Sequence, residues 1–176
     1  MSFEKPEVMA LFNLATKSVE DTKELAGVLA ASSRPGDVIL LVGELGAGKT
    51  AFAQGFGRGM GILDPITSPT FTLVRIYRGE MVLLHVDIYR LASIAEVEDL
   101  ALGELLDAGG VALVEWGDMA ASVFAPDFLE VSLRPGCGSD ERNIALRASG
   151  RSWSTRMEAL ALDLDRWRCP PEEDRC

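Results

Sequence analysis

Apolar residues fall along the chain in two kinds of pattern, a spacing of three to four positions and short unbroken runs. In residues 18–31 the apolar side chains recur at the first spacing behind two acidic residues, which predicts an amphipathic helix. Residues 38–42, Val-Ile-Leu-Leu-Val, form an unbroken β-branched-rich run that predicts a strand buried on both faces. Residues 50–56 show the helical spacing again. This part of the chain therefore predicts a helix, a buried strand, a short loop and a second helix.

The later patterns predict mostly strands. Residues 71–77 and 80–86 are strand-like and are separated by Arg78-Gly79, so a hairpin is predicted there. The other predicted elements are a helix at 94–107 that ends at Gly109-Gly110, a buried strand at 111–114, an antiparallel pair at 129–133 and 143–148, and a short helix at 154–164. A hairpin beside buried strands indicates a mixed sheet.

Four glycines alternate with other residues near the end of the second predicted helix, at positions 55, 57, 59 and 61. Each glycine weakens a helix by up to about 1 kcal/mol. We expect these glycines to mark close backbone packing and the end of the helix, and not a second phosphate loop.

The length and charge of the chain narrow its class. A chain of 176 residues fits one domain, expected at residues 1–165, and the charged, proline-containing residues 166–176 predict a disordered tail. The net charge of −10 disfavours strong direct binding to nucleic acid, which needs clustered Lys and Arg. No signal-peptide layout and no apolar run of bilayer length occurs, so we expect a cytoplasmic protein without membrane contact.

The loop between the predicted strand and the second helix carries the clearest chemical pattern. It matches the phosphate-binding pattern G-x-x-x-x-G-K-[ST] with the residues Gly43-Glu44-Leu45-Gly46-Ala47-Gly48-Lys49-Thr50. Its glycines permit positive φ, so that backbone N–H groups at a helix N-terminus can surround an anion. Lys49 would reach the β- and γ-phosphates of a nucleotide, and the Thr50 hydroxyl would coordinate Mg²⁺.

Together with the elements around it, this loop predicts an α/β fold of the P-loop NTPase type. We expect a three-layer sandwich in which a central mixed sheet has a parallel core and antiparallel edge strands. The alternative for the loop is a glycine-rich turn with a solvated lysine.

Two predicted strands lead into a carboxylate. Asp87 follows the apolar run 81–86, and Glu115 follows the run 111–114. Enzymes with a phosphate-binding loop need an acidic group near Mg²⁺, and neighbouring strand ends present such groups at one edge of a sheet. Either carboxylate could hold the metal while the other orients the attacking water. Spacing alone leaves these roles open, and each residue singly is also compatible with a turn or a cap.

Residues 67–72, Thr-Ser-Pro-Thr-Phe-Thr, place four hydroxyls around one proline just before a predicted strand. The segment is compatible with a switch-like loop that senses a γ-phosphate and equally with an ordinary Ser/Thr turn. His85 follows an apolar run and is by itself typical of a buried structural imidazole.

Four sequence blocks, in this order, resemble the bacterial TsaE ATPases. They are the loop at 43–50, Ser68-Pro69-Thr70-Phe71-Thr72-Leu73-Val74, His85-Val86-Asp87-Ile88-Tyr89-Arg90-Leu91 and Val114-Glu115-Trp116. The resemblance spans about residues 18–150. The second and third blocks are more specific than the loop, which many unrelated enzymes share.

This resemblance implies an ATPase that uses ATP and Mg²⁺ and supports threonylcarbamoyladenosine formation on tRNA by docking on a TsaD–TsaB complex. In the terms of the family, Asp87 and Lys49 would be catalytic, and Thr50 and Glu115 would hold the metal. The residues that would bind the nucleotide are Val19, Glu44, Leu45, Gly46, Ala47, Gly48, Lys49 and Thr50, and those of the switch-like loop are Ser68, Thr70 and Thr72.

Other functions share the phosphate loop. A small-molecule kinase needs an arginine-bearing lid, and the sequence offers no compact arginine cluster beyond Arg75, Arg78 and Arg90. A GTPase needs an Asn-Lys-x-Asp guanine reader, which the chain lacks. A nucleotide-dependent binding module, in which ATP only locks a conformation for a partner, is the third alternative.

Overall fold

The computed structural model describes residues 8–88, 102–115 and 127–170, with side chains from residue 11 onward. In these ranges the strands form a seven-stranded sheet with the order β1-β7-β6-β2-β5-β4-β3. The strands are β1 (Val8–Thr16), β2 (Val38–Val42), β3 (Val74–Arg78), β4 (Val82–Asp87), β5 (Val111–Glu115), β6 (Phe128–Pro135) and β7 (Arg142–Ser149).

The centre of the sheet is parallel and its edges are antiparallel. Strand β2 pairs in parallel with β5 and β6, and β5 pairs in parallel with β4. Strand β3 pairs antiparallel with β4, β6 with β7, and β7 with β1. The mixed sheet with a parallel core, the 71–86 hairpin and the final antiparallel pair are therefore confirmed.

The first strand of the hairpin begins later than predicted, at Val74. The amides of Thr72 and Leu73 both donate to the Pro69 carbonyl, and Leu73 has φ of 62°. Such a turn cannot pair as a strand, so the Ser/Thr-rich segment stays a loop above the sheet.

Helices cover both faces of the sheet. They are α1 (Val19–Ala31), α2 (Lys49–Gly59), α3 (Leu102–Asp107) and α4 (Arg151–Leu160), and a 3₁₀ turn spans Asp165–Trp167. Helix α1 starts as predicted, because the Ser18 hydroxyl caps the Asp21 amide. Leu102 of α3 joins an apolar cluster on the face opposite to α1 and α2. The predicted helix at 94–107 is thus described only in its last turns, and its earlier part lies outside the described residues.

The glycines of α2 mark both close backbone packing and the end of the helix, as expected. The helix continues through Gly55 and Gly57 and ends at Gly59. A Cβ on Gly55 would lie 2.3 Å from the Lys23 carbonyl oxygen of α1, which shows that the two helices pack backbone to backbone. The chain leaves the helix at Gly61, which has φ of +72°.

The first described strand and the helix that follows β7 both contact the seven-stranded sheet. Strand β1, which no sequence pattern predicted, forms an edge against β7. The predicted helix at 154–164 begins earlier, at Arg151. Its Arg156 donates two hydrogen bonds to Asp37 at the start of β2, the longer of them 2.8 Å.

The disordered tail was expected at residues 166–176, but residues 166–170 are ordered parts of the fold. Trp167 is buried and donates from Nε1 to Asp21 at 2.7 Å, and the Cys169 amide donates to the Asn13 carbonyl. An indole of this size that finds both a core position and a hydrogen-bond acceptor fixes the chain around it. Residues 171–176 lie outside the described residues. None of the helices in the described ranges has the length and apolar character to cross a bilayer.

Candidate functional site

The loop at 43–50 connects β2 to α2 at the carboxyl edge of the parallel strands, as its sequence pattern predicts. Gly43 is required by close approach, because a Cβ there would lie 2.6 Å from the Leu133 carbonyl oxygen. Gly48 is the N-cap of α2 with φ of 106°, and its backbone leaves the helix N-terminus without a capping side chain. An uncapped helix start surrounded by turning backbone attracts an anion.

A cleft of about 440 Å³ opens at this helix start. Its lining residues are Leu45, Gly46, Gly48, Lys49, Thr50, Ala51, Ser68, Thr70, Asp87 and Glu115. The fold thus brings the phosphate loop, both acidic strand ends and part of the hydroxyl-rich loop to one cavity. Four separate stretches of sequence meet there.

The Lys49 side chain is 6% exposed and lies against the loop that carries it. Its Nζ donates to the carbonyls of Gly43 at 2.8 Å and Glu44 at 3.0 Å. Burial lowers the pKa of Lys49 below 10.5, while the negative charges of Glu115 and Asp87 act in the opposite direction. The ammonium is therefore held in a site where its own desolvation is the dominant electrostatic effect.

Asp87 and Glu115 lie side by side across the β4–β5 ladder. Both are almost fully buried, at 2% and 3% exposure, and both border the cleft. Adjacent parallel strands place their last residues at the same edge, so this pairing follows from the register.

Asp87 is tied to the hydroxyl-rich loop. The Thr70 hydroxyl donates to Asp87 Oδ2 at 2.7 Å, and the Ser68 and Thr70 hydroxyls are 2.7 Å apart. Because the Thr70 hydroxyl donates its hydrogen to Asp87, Ser68 is the donor in the hydrogen bond between Ser68 and Thr70. The result is a chain of hydrogen bonds from Ser68 through Thr70 to the carboxylate.

Glu115 is tied to a residue that sequence reasoning left as structural. His85 is fully buried, as expected of it, and its Nε2 lies 2.8 Å from Glu115 Oε1. Because a carboxylate oxygen accepts, the ring donates through Nε2. A buried histidine two residues before Asp87 was the available signal, since alternate residues of a strand share one face.

The phosphate loop is also held from a distant strand. Arg142, at the start of β7, donates from Nε to the Ala47 carbonyl at 2.8 Å. No local pattern indicates this contact, because the two residues are 95 positions apart. It fixes the outer turn of the loop.

Some residues named from the sequence do not line the cleft. Val19 is the first residue of α1 and is 40% exposed, and Thr72 is exposed with its hydroxyl on the Pro69 carbonyl. Glu44 and Ala47 contribute carbonyl oxygens that accept from Lys49 and Arg142. Glu44 and Ala47 therefore stabilise the shape of the phosphate loop through their backbone.

Comparison with known proteins agrees with this site. The family model for the threonylcarbamoyl adenosine biosynthesis protein TsaE matches residues 16–144. This chain belongs to the TsaE family. The match covers the phosphate loop, both acidic strand ends and the hydroxyl-rich loop, and the resemblance found in the sequence is confirmed.

Curated relatives extend the match over most of the chain. The tRNA threonylcarbamoyladenosine biosynthesis protein TsaE of Bacillus subtilis is 40% identical over 147 residues, which is 83% of this chain and 91% of the relative. The protein of the same name from Treponema pallidum is 40% identical over 119 residues, 68% of this chain and 88% of the relative. That of Streptomyces coelicolor is 38% identical, covering 76% and 94%.

A solved structure shows the same fold. The crystal structure of Bacillus subtilis YdiB aligns with a TM-score of 0.69 and 35% identity over 91% of this chain and 97% of the other. The α/β architecture predicted from the sequence is therefore that of a TsaE-family protein. The segment beyond the family model, which includes α4, is packed onto the same sheet by Arg156.

Proposed function

We propose that this protein is a Mg²⁺-dependent ATPase that acts in threonylcarbamoyladenosine modification of tRNA. The observation that carries the proposal is the cleft into which Lys49, Asp87 and Glu115 converge, each less than 10% exposed. One buried cation and two buried carboxylates around an uncapped helix start match what phosphoryl transfer requires of a protein.

The phosphate-binding step belongs to the loop and Lys49. In the structure, the Lys49 ammonium is satisfied by the carbonyls of Gly43 and Glu44. Phosphate oxygens entering the cleft would offer stronger, charged acceptors in their place. The pKa of Lys49 is lowered because its ammonium is desolvated. A bound anion would stabilise the charged ammonium by electrostatic attraction.

The donor set fits a magnesium ion that arrives with the nucleotide. Thr50 and Glu115 both border the cleft and supply the oxygen ligands that Mg²⁺ prefers. Among the described residues no group of three or more His, Cys, Asp or Glu side chains could hold a metal without help. Phosphate oxygens and water would supply the remaining ligands, and the bound ion would neutralise negative charge on the phosphate that is transferred.

Asp87 is the candidate catalytic carboxylate. Its Oδ2 is occupied by Thr70, which fixes the carboxylate against the cleft. From there it would orient the attacking water or take its proton. The hydrogen-bonded chain from Ser68 links this carboxylate to the Ser/Thr-rich loop, which in this proposal responds to a γ-phosphate.

The biological role follows the family. The relatives are named for tRNA threonylcarbamoyladenosine biosynthesis. We propose that this chain serves that pathway by docking on a TsaD–TsaB complex, and that its hydrolysis is slow without the complex.

Two apolar side chains next to the cleft, Leu45 and Phe71, are 93% and 85% exposed and suit contact with a protein partner better than with solvent. The net charge of −10 supports a protein partner over direct tRNA binding.

The test separates binding from turnover. Purified protein would be titrated with a fluorescent ATP analogue, and release of inorganic phosphate would be followed with and without Mg²⁺ and with TsaD–TsaB added. Asp87→Asn is expected to keep ATP binding and to lose turnover, with the exposed Asp107→Asn at the end of α3 as the matched control.

The outcomes distinguish the alternatives. Unchanged turnover in Asp87→Asn would refute the catalytic role of this carboxylate. Nucleotide binding with no phosphate release under any condition would indicate a binding module. Rapid release that TsaD–TsaB does not change would refute the partner proposal, and phosphate transfer to a small molecule would indicate a kinase.

A further inference from the structure

His85 lies in the apolar layer directly beneath the acidic edge of the sheet. Its register partner on β5 is Leu113, and Leu83 precedes it on the same face of β4. Both of these leucines are fully buried in the cluster under α1 and α2. A third leucine would fill this layer without any polar cost, so an imidazole here needs a reason.

The contacts of the His85 ring supply the reason for an imidazole at this position. Nε2 donates to Glu115 Oε1 at 2.8 Å, and Nδ1 has no hydrogen-bond partner within the described part of the chain. Within the described residues, the hydrogen bond of the ring goes to one carboxylate at the edge of the cleft.

The position of the ring decides what that contact does. Glu115 is the last residue of β5, and its side chain reaches the cleft at the point where the chain leaves the sheet. Asp87 flanks it across the ladder, and Thr70 fixes Asp87 from above. His85 holds Glu115 from below, so each carboxylate has its own donor on a separate element.

We propose that His85 is a positioning residue, whose Nε2–H fixes the Glu115 carboxylate in the orientation that receives Mg²⁺ together with ATP. The inference rests on the proposed nucleotide site and adds to it a residue that touches neither nucleotide nor metal. Donors behind metal-ligating carboxylates orient their ligands, and their loss weakens metal affinity by about 10- to 100-fold.

Three substitutions separate the hydrogen bond from the shape of the ring. The amide nitrogen of His85→Gln falls near the place of Nε2, and that of His85→Asn falls near the place of Nδ1. His85→Leu keeps an apolar filling and removes both nitrogens. Each variant would be titrated with a fluorescent ATP analogue in EDTA and at increasing Mg²⁺, with circular dichroism to confirm the fold.

All folded variants are expected to bind the analogue equally in EDTA. The quantity compared is the Mg²⁺ concentration at which half of the Mg²⁺-dependent increase in ATP affinity is reached. This concentration is expected to rise about 10- to 100-fold in His85→Asn and His85→Leu. It is expected to stay near the wild-type value in His85→Gln. If His85→Leu does not fold, the comparison of Gln with Asn decides. The role is overturned if Asn and Leu keep the wild-type Mg²⁺ requirement, or if Gln fails to restore it.

The outcome stays distinct from that of the ATPase proposal. A wild-type protein that binds ATP more tightly with Mg²⁺ but releases no phosphate refutes hydrolysis and leaves the His85 comparison decisive. A wild-type protein whose nucleotide affinity ignores Mg²⁺ overturns the positioning role itself.

Discussion

The Thr70 hydroxyl donates a hydrogen bond to Asp87 Oδ2 over 2.7 Å, which joins the Ser/Thr-rich loop to the end of a central strand. The two residues are 17 positions apart, and the hairpin of β3 and β4 brings them together. The Leu73 carbonyl accepts from the Asp87 amide at 2.8 Å, so the same loop holds both the backbone and the side chain of this residue. The loop and the carboxylate are therefore one unit.

Thr70→Val is expected to lower ATP turnover about tenfold with little change in ATP affinity, because it removes one hydrogen bond to a charged group and keeps the shape. Thr70→Ser should keep most of the activity. Thr72→Val is the matched control, since Thr72 lies in the same loop but outside the cleft. Phosphate release and analogue binding would be measured for all three. Equal losses in Thr70→Val and Thr72→Val would contradict a specific role for Thr70.

Lys49→Met is expected to weaken ATP binding by roughly 10- to 100-fold, because it removes a charged donor to phosphate. The empty protein should nevertheless lose no stability at neutral pH. Burial lowers the pKa of Lys49 in the folded state below 10.5, so the folded protein holds this proton less tightly than the unfolded chain does. Carrying the charge therefore costs stability at every pH below the folded pKa, and this cost disappears as the pH rises towards 10.5.

Urea denaturation of both proteins across alkaline pH checks this prediction. The wild type should gain stability relative to Lys49→Met as the pH approaches 10.5, as long as both remain folded. A wild type that loses stability relative to the variant over that range would show that the carbonyl and carboxylate contacts outweigh desolvation.

Arg156→Met is expected to destabilise the protein by about 3–5 kcal/mol, because it leaves the Asp37 carboxylate buried without its partner. Arg156 Nη2 lies 2.8 Å from Asp37 Oδ1, and both side chains are nearly buried. The double variant Asp37→Asn with Arg156→Met should recover part of the loss, since it removes the unpaired charge. Urea denaturation measures both, and a double variant no more stable than Arg156→Met would argue that packing of Arg156 matters more than charge.

Gly55→Ala is expected to destabilise the protein by about 1–3 kcal/mol, although alanine is the better helix former. The new Cβ would meet the Lys23 carbonyl oxygen of α1 at 2.3 Å, which forces the two helices apart. Gly103→Ala in α3 is the matched control, because a Cβ there meets no atom of the described residues within 4 Å. It should raise stability by up to about 1 kcal/mol, and thermal unfolding of both variants tests the contrast. Equal effects in the two would mean that propensity alone decides.

Local patterns predicted the parts of the fold that depend on neighbouring residues. The run at 38–42 is the buried strand β2, and the helix at 18–31 starts at its Ser18 cap, because strand burial and capping are properties of a few consecutive residues. Strand β1 was missed, since an edge strand is defined by its partner β7 and not by its own alternation. The packing of Trp167 was not predicted for a similar reason, because its hydrogen-bond acceptor is the distant Asp21.

The sequence by itself determined the phosphate loop, the two acidic strand ends and the family. Each of these can be recognised from the residue types in a short block of consecutive positions. Only the tertiary structure decided which donors hold those groups. His85 on Glu115, Thr70 on Asp87 and Arg142 on Ala47 join residues that are 30, 17 and 95 positions apart. Such pairs depend on strand order and register, and these are set by the burial of whole strands against helices, which no local window contains.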